Sequence, residues 1–269
     1  MTIRRAFTLV ELLVVIAIIG LLSTIAITSM SSARAKAKIA ASQQYEMSIY
    51  HGLGDRIIGD WGLDNTSGAS IIDNSGNGNN GTLGGTVSGS TYVPGVIGGA
   101  IYFDGSTNYI QIANALSVPL NSFTASAWFK TTLTNFSYIL SAGEVAGTGH
   151  IIGTGINGQL RVCLGPSGCI TGTRSFNDGN WHLATVTGDS TSIRGYIDGV
   201  QETTSTATAS TVNSTFTIGA DNTGYIYKVQ GTIDQVRLYG AALTARAIKE
   251  QYLAGLTSHP QPLAVITTP

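Results

Sequence analysis

The sequence predicts a mainly β protein, with a long N-terminal α-helix followed by an antiparallel β-sandwich. Three observations carry this expectation. A nearly continuous apolar run from Phe7 to Ile27 leads into good helix formers, with no proline before residue 94. Beyond Gly59, short β-type runs (AIYFDG, YIQIAN, FTASAWFKT, YILSAG, LRVCLG, HLATVTGD, SIRGYIDG, FTIGAD, IDQVRLYG) recur between Gly, Asn and Asp turn signals. Only 11% of residues are charged, with 34 glycines and a net charge of −1. A typical domain carries about 25% charged residues, so this surface is polar through Ser, Thr, Asn and Gly.

The helix comes first. The 21 residues from Phe7 to Ile27 would rise about 30 Å, the thickness of a bilayer's hydrocarbon. Glu11 interrupts this run, and an ionised side chain at mid-membrane costs about 2.5–3.5 kcal/mol. Alanines then alternate with Arg34, Lys36 and Lys38, and Tyr45, Ile49 and Leu53 recur at helical spacing. One helix is expected from Phe7 to about Asp55, ended by the glycines of HGLGD. Arg4 and Arg5 favour a cytoplasmic N-terminus, but the three cations after the span are more numerous and cancel the argument.

The first 50 residues resemble a type IV pilin or pseudopilin precursor. The match rests on Arg4 and Arg5 as a short basic leader, the small Ala6, the aromatic Phe7 and Glu11 four residues later. The resemblance implies cleavage between Ala6 and Phe7 by a prepilin peptidase, then methylation of the Phe7 amine. It also implies that Glu11 pairs with the Phe7 amine of a neighbouring subunit during filament assembly. The family usually has Gly where Ala6 stands. TIRRAFTL also has a twin-arginine look and SMSSARA a signal-peptidase look. A signal peptide's apolar core is usually about 7–15 residues without a carboxylate, however, and this run is longer and contains Glu11.

The segment after Gly59 is long enough for one sandwich. IDG at 197–199 predicts a hairpin turn, DNSGNGNNGT a loop, and ALTARAIKEQYLAG a short helix capped at Thr244 and ended by Gly255. Trp128 and Trp181 stand in apolar strands and are expected in the core. Cys163 and Cys169 flank the turn sequence GPSG, so a hairpin would place them across from each other at disulfide distance. The near-neutral charge argues against a nucleic-acid partner, since phosphate binding needs a clustered basic face.

Taken in order, WGLD, DNSGNGNNGT, GGAIYFDGSTNYIQI, SFTASAWFKT, DGNWHLATVTGD, GYIDGVQ, FTIGAD and GTIDQVRLYGAALTARAIKEQYLAG resemble a laminin-G-like, concanavalin A-like jelly roll over most of residues 60–255. The implied division is a leader at 1–6, a pilin-like helix at 7–58, a jelly roll at 59–256 and a disordered tail at 257–269. The resemblance implies a structural calcium ion, with a carboxylate from Asp234 and with the Asp64–Asn65 and Asp104–Gly105 segments nearby. The family often has Glu where Asn65 stands. Without a metal, Asp234 would cap a strand end and Asp104 would hold its own turn.

Such domains include lectins, protein-binding modules and glucan hydrolases. A hydrolase needs two carboxylates flanking the bond. Beyond the helix Glu144, Glu202 and Glu250 are scattered singly, so no enzyme is expected. His150 and His182 have no metal-spaced partner, and His182 is expected as a strand residue. Tyr92, Tyr109, Phe136, Tyr138, Tyr225 and Tyr227 are candidates to stack on a sugar. The sequons at Asn80 and Asn213 carry no weight in a prokaryotic pilin-type chain.

The expectation is a minor or tip subunit of a type IV pilus or pseudopilus. It would sit in the cytoplasmic membrane before assembly and outside the cell afterwards. Its partners would be other pilins, the assembly machinery and a glycan or surface protein. The alternatives are a pilin whose head is purely structural or protein-binding, and a membrane-anchored secreted lectin-like protein outside any filament.

Overall fold

The computed structural model describes residues 9–20, 44, 52, 56–65, 67–86, 91–112, 116–119, 121–145, 148–164, 168–206, 212–221 and 227–258. Residues 9–20 form helix α1, whose aliphatic side chains are exposed on every side. A helix that is apolar all round belongs in a non-aqueous or protein environment. Among the described residues no helix is long and apolar enough to cross a membrane. Glu11 lies in α1, whereas Ala6, Phe7, most of the helix expected up to Asp55 and most of the 257–269 tail fall outside the described residues.

In chain order the strands are β1 (Ile57–Trp61), β2 (Ser70–Ile71), β3 (Gly81–Gly84), β4 (Tyr92–Pro94), β5 (Gly99–Asp104), β6 (Tyr109–Ile112), β7 (Leu116–Val118), β8 (Phe123–Thr131), β9 (Ser137–Val145), β10 (Thr148–Thr154), β11 (Gln159–Cys163), β12 (Cys169–Ser175), β13 (His182–Gly188), β14 (Ile193–Ile197), β15 (Val200–Ser205), β16 (Val212–Ser214), β17 (Phe216–Ile218) and β18 (Gln230–Tyr239), followed by helix α2 (Ala245–Ser258). One sheet runs β15-β14-β13-β8-β18-β5-β4, with β1 also on β18; the other runs β12-β11-β10-β9-β17-β6-β3-β2. All their pairings are antiparallel, and β7 and β16 form a separate ribbon. The antiparallel sandwich is as expected.

The main core lies between the sheets and includes Trp61, Phe103, Phe123, Phe129, Phe216 and Val236. Trp128 and Trp181 are buried as expected, but in a second cluster with Val96, Ala100 and Leu183, against which Tyr252 and Leu256 of α2 pack. The outer face of the first sheet is therefore apolar and needs α2 as its cover. Gly255 does not end this helix. A Cβ at Gly255 would collide with the Trp128 indole, so glycine here permits close packing rather than a C-cap. Thr244 does cap it, accepting the Ala247 N–H at 3.2 Å.

The first strand begins at Ile57, inside the 7–58 segment expected to be helical. Ile57 and Gly59–Trp61 pair with β18, and Asn77 and Asn79 of the DNSGNGNNGT loop donate to the Ile57 and Ile58 carbonyls. Asp73 organises that loop, accepting the N–H groups of Asp60, Ser75 and Asn79 at 2.9–3.0 Å. Burial would raise the Asp73 pKa, but the Ser75 hydroxyl together with these N–H groups more than offsets it and holds the carboxyl below its ordinary value.

The hairpin at 197–199 forms as expected, with Asp198 (φ 57°) and Gly199 (φ 73°) both left-handed, the signature of a two-residue I′ turn. Cys163 and Cys169 face each other across β11 and β12 with Cα atoms 4.1 Å apart, and they form the expected disulfide.

Candidate functional site

The residues expected around calcium divide into two places. Strand β18 contains a bulge: Asp234 pairs with Trp128 and Arg237 with Ser126, with Gln235 at φ 47° between them. The bulge lies where β1 gives way to β5 alongside β18. Asp234 is 0% exposed there. Its Oδ2 accepts the Val96 and Ile97 N–H groups at 2.7 and 3.1 Å, while its Oδ1 has no hydrogen-bond partner among the described residues. Asp64 accepts the Gly99 N–H at 2.8 Å, so both carboxylates hold the turn at 95–99. A Cβ at Gly98 would collide with Asp64, and one at Gly95 with Asp234. Burial first, and then the Asp64 charge, raise the Asp234 pKa to about 7, despite the hydrogen bonds that oppose them.

Asp104 and Gly105 do not join this pair. Asp104 ends β5 and Gly99 begins it, about 16 Å apart along an extended strand. Asp104 instead holds its own turn: burial alone would raise its pKa, but the Thr107 hydroxyl and the N–H groups of Thr107, Ser106 and Asn108 donate to its carboxyl and keep it well below the ordinary range. Asn65 also stands apart, donating to the Ser70 carbonyl at 2.6 Å. No group of three or more His, Cys, Asp and Glu is placed to hold a metal among the described residues. Asp64 and Asp234 nevertheless fit a hard cation in one respect: a buried carboxylate oxygen without a partner beside a second carboxylate.

The end of the sandwich at Asp104 carries a cleft of about 750 Å³. Its walls are Asp104 and Gly105, then Leu133, Asn135 and Phe136 from the β8–β9 loop, Ile156 before β11, and Tyr227, Lys228 and Gln230 at the start of β18. Tyr227 is 50% exposed at φ 50°, a left-handed conformation that an aromatic residue adopts only at a cost of order 1–3 kcal/mol. Its ring meets that of Tyr138 edge-on at 5.6 Å, and its carbonyl accepts the Tyr138 N–H. Lys228 donates to the Ser106 carbonyl at 2.7 Å and lies over the Tyr109 ring. The cleft thus combines exposed aromatic and aliphatic surface with amide and charged groups, as ligand sites do.

Of the six aromatic candidates, Phe136 and Tyr227 line this cleft. Tyr138 is buried behind Tyr227, and Tyr109 lies beneath Lys228. Tyr92 is on β4 and donates to the Gly68 carbonyl, and Tyr225 lies outside the described residues.

His182 has a role that sequence reading missed. Its Nδ1 lies 2.8 Å from Asp198 and its Nε2 3.1 Å from Asp178, between the Phe129 and Phe176 rings. Burial lowers its pKa, but the two carboxylates more than offset this, so the net shift is upward from 6.5. A folded-state value above the unfolded one stabilises the fold fully below about pH 6.5, and the contribution is lost as pH rises through the folded value. His182→Gln is expected to remove this component from a plot of unfolding midpoint against pH; a plot identical to wild type would refute it. Glu202 is engaged by Arg174 and Glu250 by Arg246, while the side chains of Glu144 and His150 are outside what is described.

Comparison with known proteins places this geometry. The profile described as the concanavalin A-like lectin/glucanases superfamily matches residues 104–249, and the prokaryotic N-terminal methylation motif matches residues 1–27. Among solved structures, domain 4 of AbnA, a GH43 extracellular arabinanase from Geobacillus stearothermophilus in complex with arabinotriose, is 22% identical (TM-score 0.58; 73% of this chain, 98% of that one). The binding domain of Paraclostridial Mosquitocidal Protein 1 is 16% identical (TM-score 0.56; 74% and 52%). Trypanosoma rangeli sialidase in complex with the inhibitor DANA is also 16% identical (TM-score 0.55; 73% and 32%). This chain therefore spans about half and a third of the last two. At these identities the likeness concerns the fold. No curated protein matches.

Proposed function

Because this chain belongs to the concanavalin A-like lectin/glucanases superfamily and opens with a prokaryotic N-terminal methylation motif, we propose that it is a type IV pilus or pseudopilus subunit with a saccharide-binding head. The observation that carries the binding reading is the cleft in which strained, half-exposed Tyr227 stands beside Phe136, Asn135 and Gln230. Aromatic faces stack on sugar rings, and amides hydrogen-bond hydroxyls. In this reading the head binds rather than hydrolyses, which is supported by Glu202 and Glu250 each being held by an arginine, Arg174 and Arg246. We further propose processing between Ala6 and Phe7, pairing of Glu11 with a neighbouring subunit's Phe7 amine, and a minor or tip position that adheres to surfaces. Calcium, where bound, would be held by Asp64 and Asp234 and would fix the turn at 95–99.

A glycan array followed by calorimetry tests the binding reading, with arabinotriose as the first probe because the AbnA domain is in complex with it. Tyr227→Ala is expected to weaken binding about tenfold, the loss of a stacked aromatic contact of about 1–1.5 kcal/mol. Unchanged affinity in this variant would move the site elsewhere, and a blank array would favour a structural head.

A further inference from the structure

We infer that the Cys163–Cys169 disulfide is a positioning device for the ligand cleft, acting through Arg161. Arg161 and Cys163 stand two residues apart on β11 and so share one face of the sheet. The guanidinium reaches both sulfurs, Nε at 3.3 Å from Cys163 Sγ and Nη2 at 3.1 Å from Cys169 Sγ. Its Cζ lies 4.6 Å from the centroid of the Phe136 ring, and Phe136 is a wall of the cleft. The disulfide thus offers two acceptors at a spacing that the planar, multi-donor guanidinium can bridge, and the seated cation lies over the ring and limits its motion. A bond between β11 and β12 thereby fixes an aromatic wall contributed by the β8–β9 loop. An added dithiol reduces the bond, leaving Cys163 and Cys169 as thiols and becoming a disulfide itself; this separates the sulfurs, removes the paired seat and frees Phe136.

This inference rests on the cleft being the saccharide site, but the seating of Phe136 can be measured without a ligand. Trp61, Trp128 and Trp181 are all buried, so a tryptophan placed by Phe136→Trp reports on that position alone when an aqueous quencher is added. In detergent-solubilised full-length protein, mild reduction is expected to raise quenching of this reporter. Saccharide affinity of the otherwise native chain should fall about two- to fivefold, the equivalent of one exposed cation–π contact. Cys163→Ser with Cys169→Ser should reproduce both effects. Arg161→Met, which keeps the disulfide and the packing volume, should do so even where the serine variant fails to fold. Arg161→Lys should fall between, since its ammonium keeps the charge but not the two-point seat. Quenching unchanged by reduction and by Arg161→Met would overturn the inference. Failure of the oxidised wild-type protein to bind any saccharide would instead overturn the binding reading and leave the quenching result standing.

Discussion

Trp61→Ala is expected to cost about 3–5 kcal/mol, the range for deleting a large buried aromatic side chain. Trp61 is 0% exposed, its indole packs against Gly59 of its own strand, and its Nε1 donates to the Asn79 carbonyl at 2.8 Å. It connects β1, the inter-sheet core and the loop organised by Asp73. Truncation therefore leaves a cavity and also removes the indole donor that fastens the loop to the strand. Chemical denaturation followed by circular dichroism measures the loss. A cost below about 1 kcal/mol would mean that the site collapses and that β1 is not anchored as described.

The second large effect is a pH dependence centred on Asp234. The unfolded carboxyl ionises near 3.8 and the folded one near 7. Between those values the folded state keeps a proton that the unfolded state has released, so stability falls as pH rises. The full difference is on the order of 4 kcal/mol. The His182 contribution also declines with rising pH, so the two are separated by variants. Asp234→Asn stays uncharged and should flatten the slope between about pH 4 and pH 7, whereas His182→Gln should leave the part below about pH 6 intact. If calcium is held by Asp64 and Asp234, it competes with the proton. Its stabilising effect should then be larger near pH 8 than near pH 5.5 and absent in Asp234→Asn. Identical slopes in wild type and Asp234→Asn would contradict the assignment of the slope to this group.

Features set by local chemistry were legible in the sequence. Asp198-Gly199 can adopt the two left-handed conformations that a tight hairpin demands, and Cys163 and Cys169 flank a turn short enough to bring them face to face. Thr244 announced its helix because capping is a property of a few consecutive residues. Features set by which surfaces meet were not legible. Gly255 looked like a helix terminator, yet it is the point where α2 passes over Trp128. Trp128 and Trp181 read as core residues, but nothing local distinguishes the inter-sheet face from one covered by a helix. Resemblance groups Asp104 with Asp234, whereas strand length puts it with the cleft. His182 acquires Asp198 only because a hairpin 16 residues later folds back beside it. The cleft itself gathers loops from four parts of the chain, and the left-handed backbone that sets Tyr227 in it has no signal in the neighbouring residues.

The central claim, a filament subunit with an outward binding head, is tested most directly at the N-terminus. Mass spectrometry of the mature chain, in wild type and in Glu11→Ala, should be paired with analysis of sheared filaments. The expected result is a chain beginning at methylated Phe7 in both, with the wild type in the filament fraction and Glu11→Ala processed but missing from it. A chain retaining Met1, or cut near Ala33, would contradict the account and leave an anchored or secreted saccharide-binding protein in which Glu11 has no part in assembly.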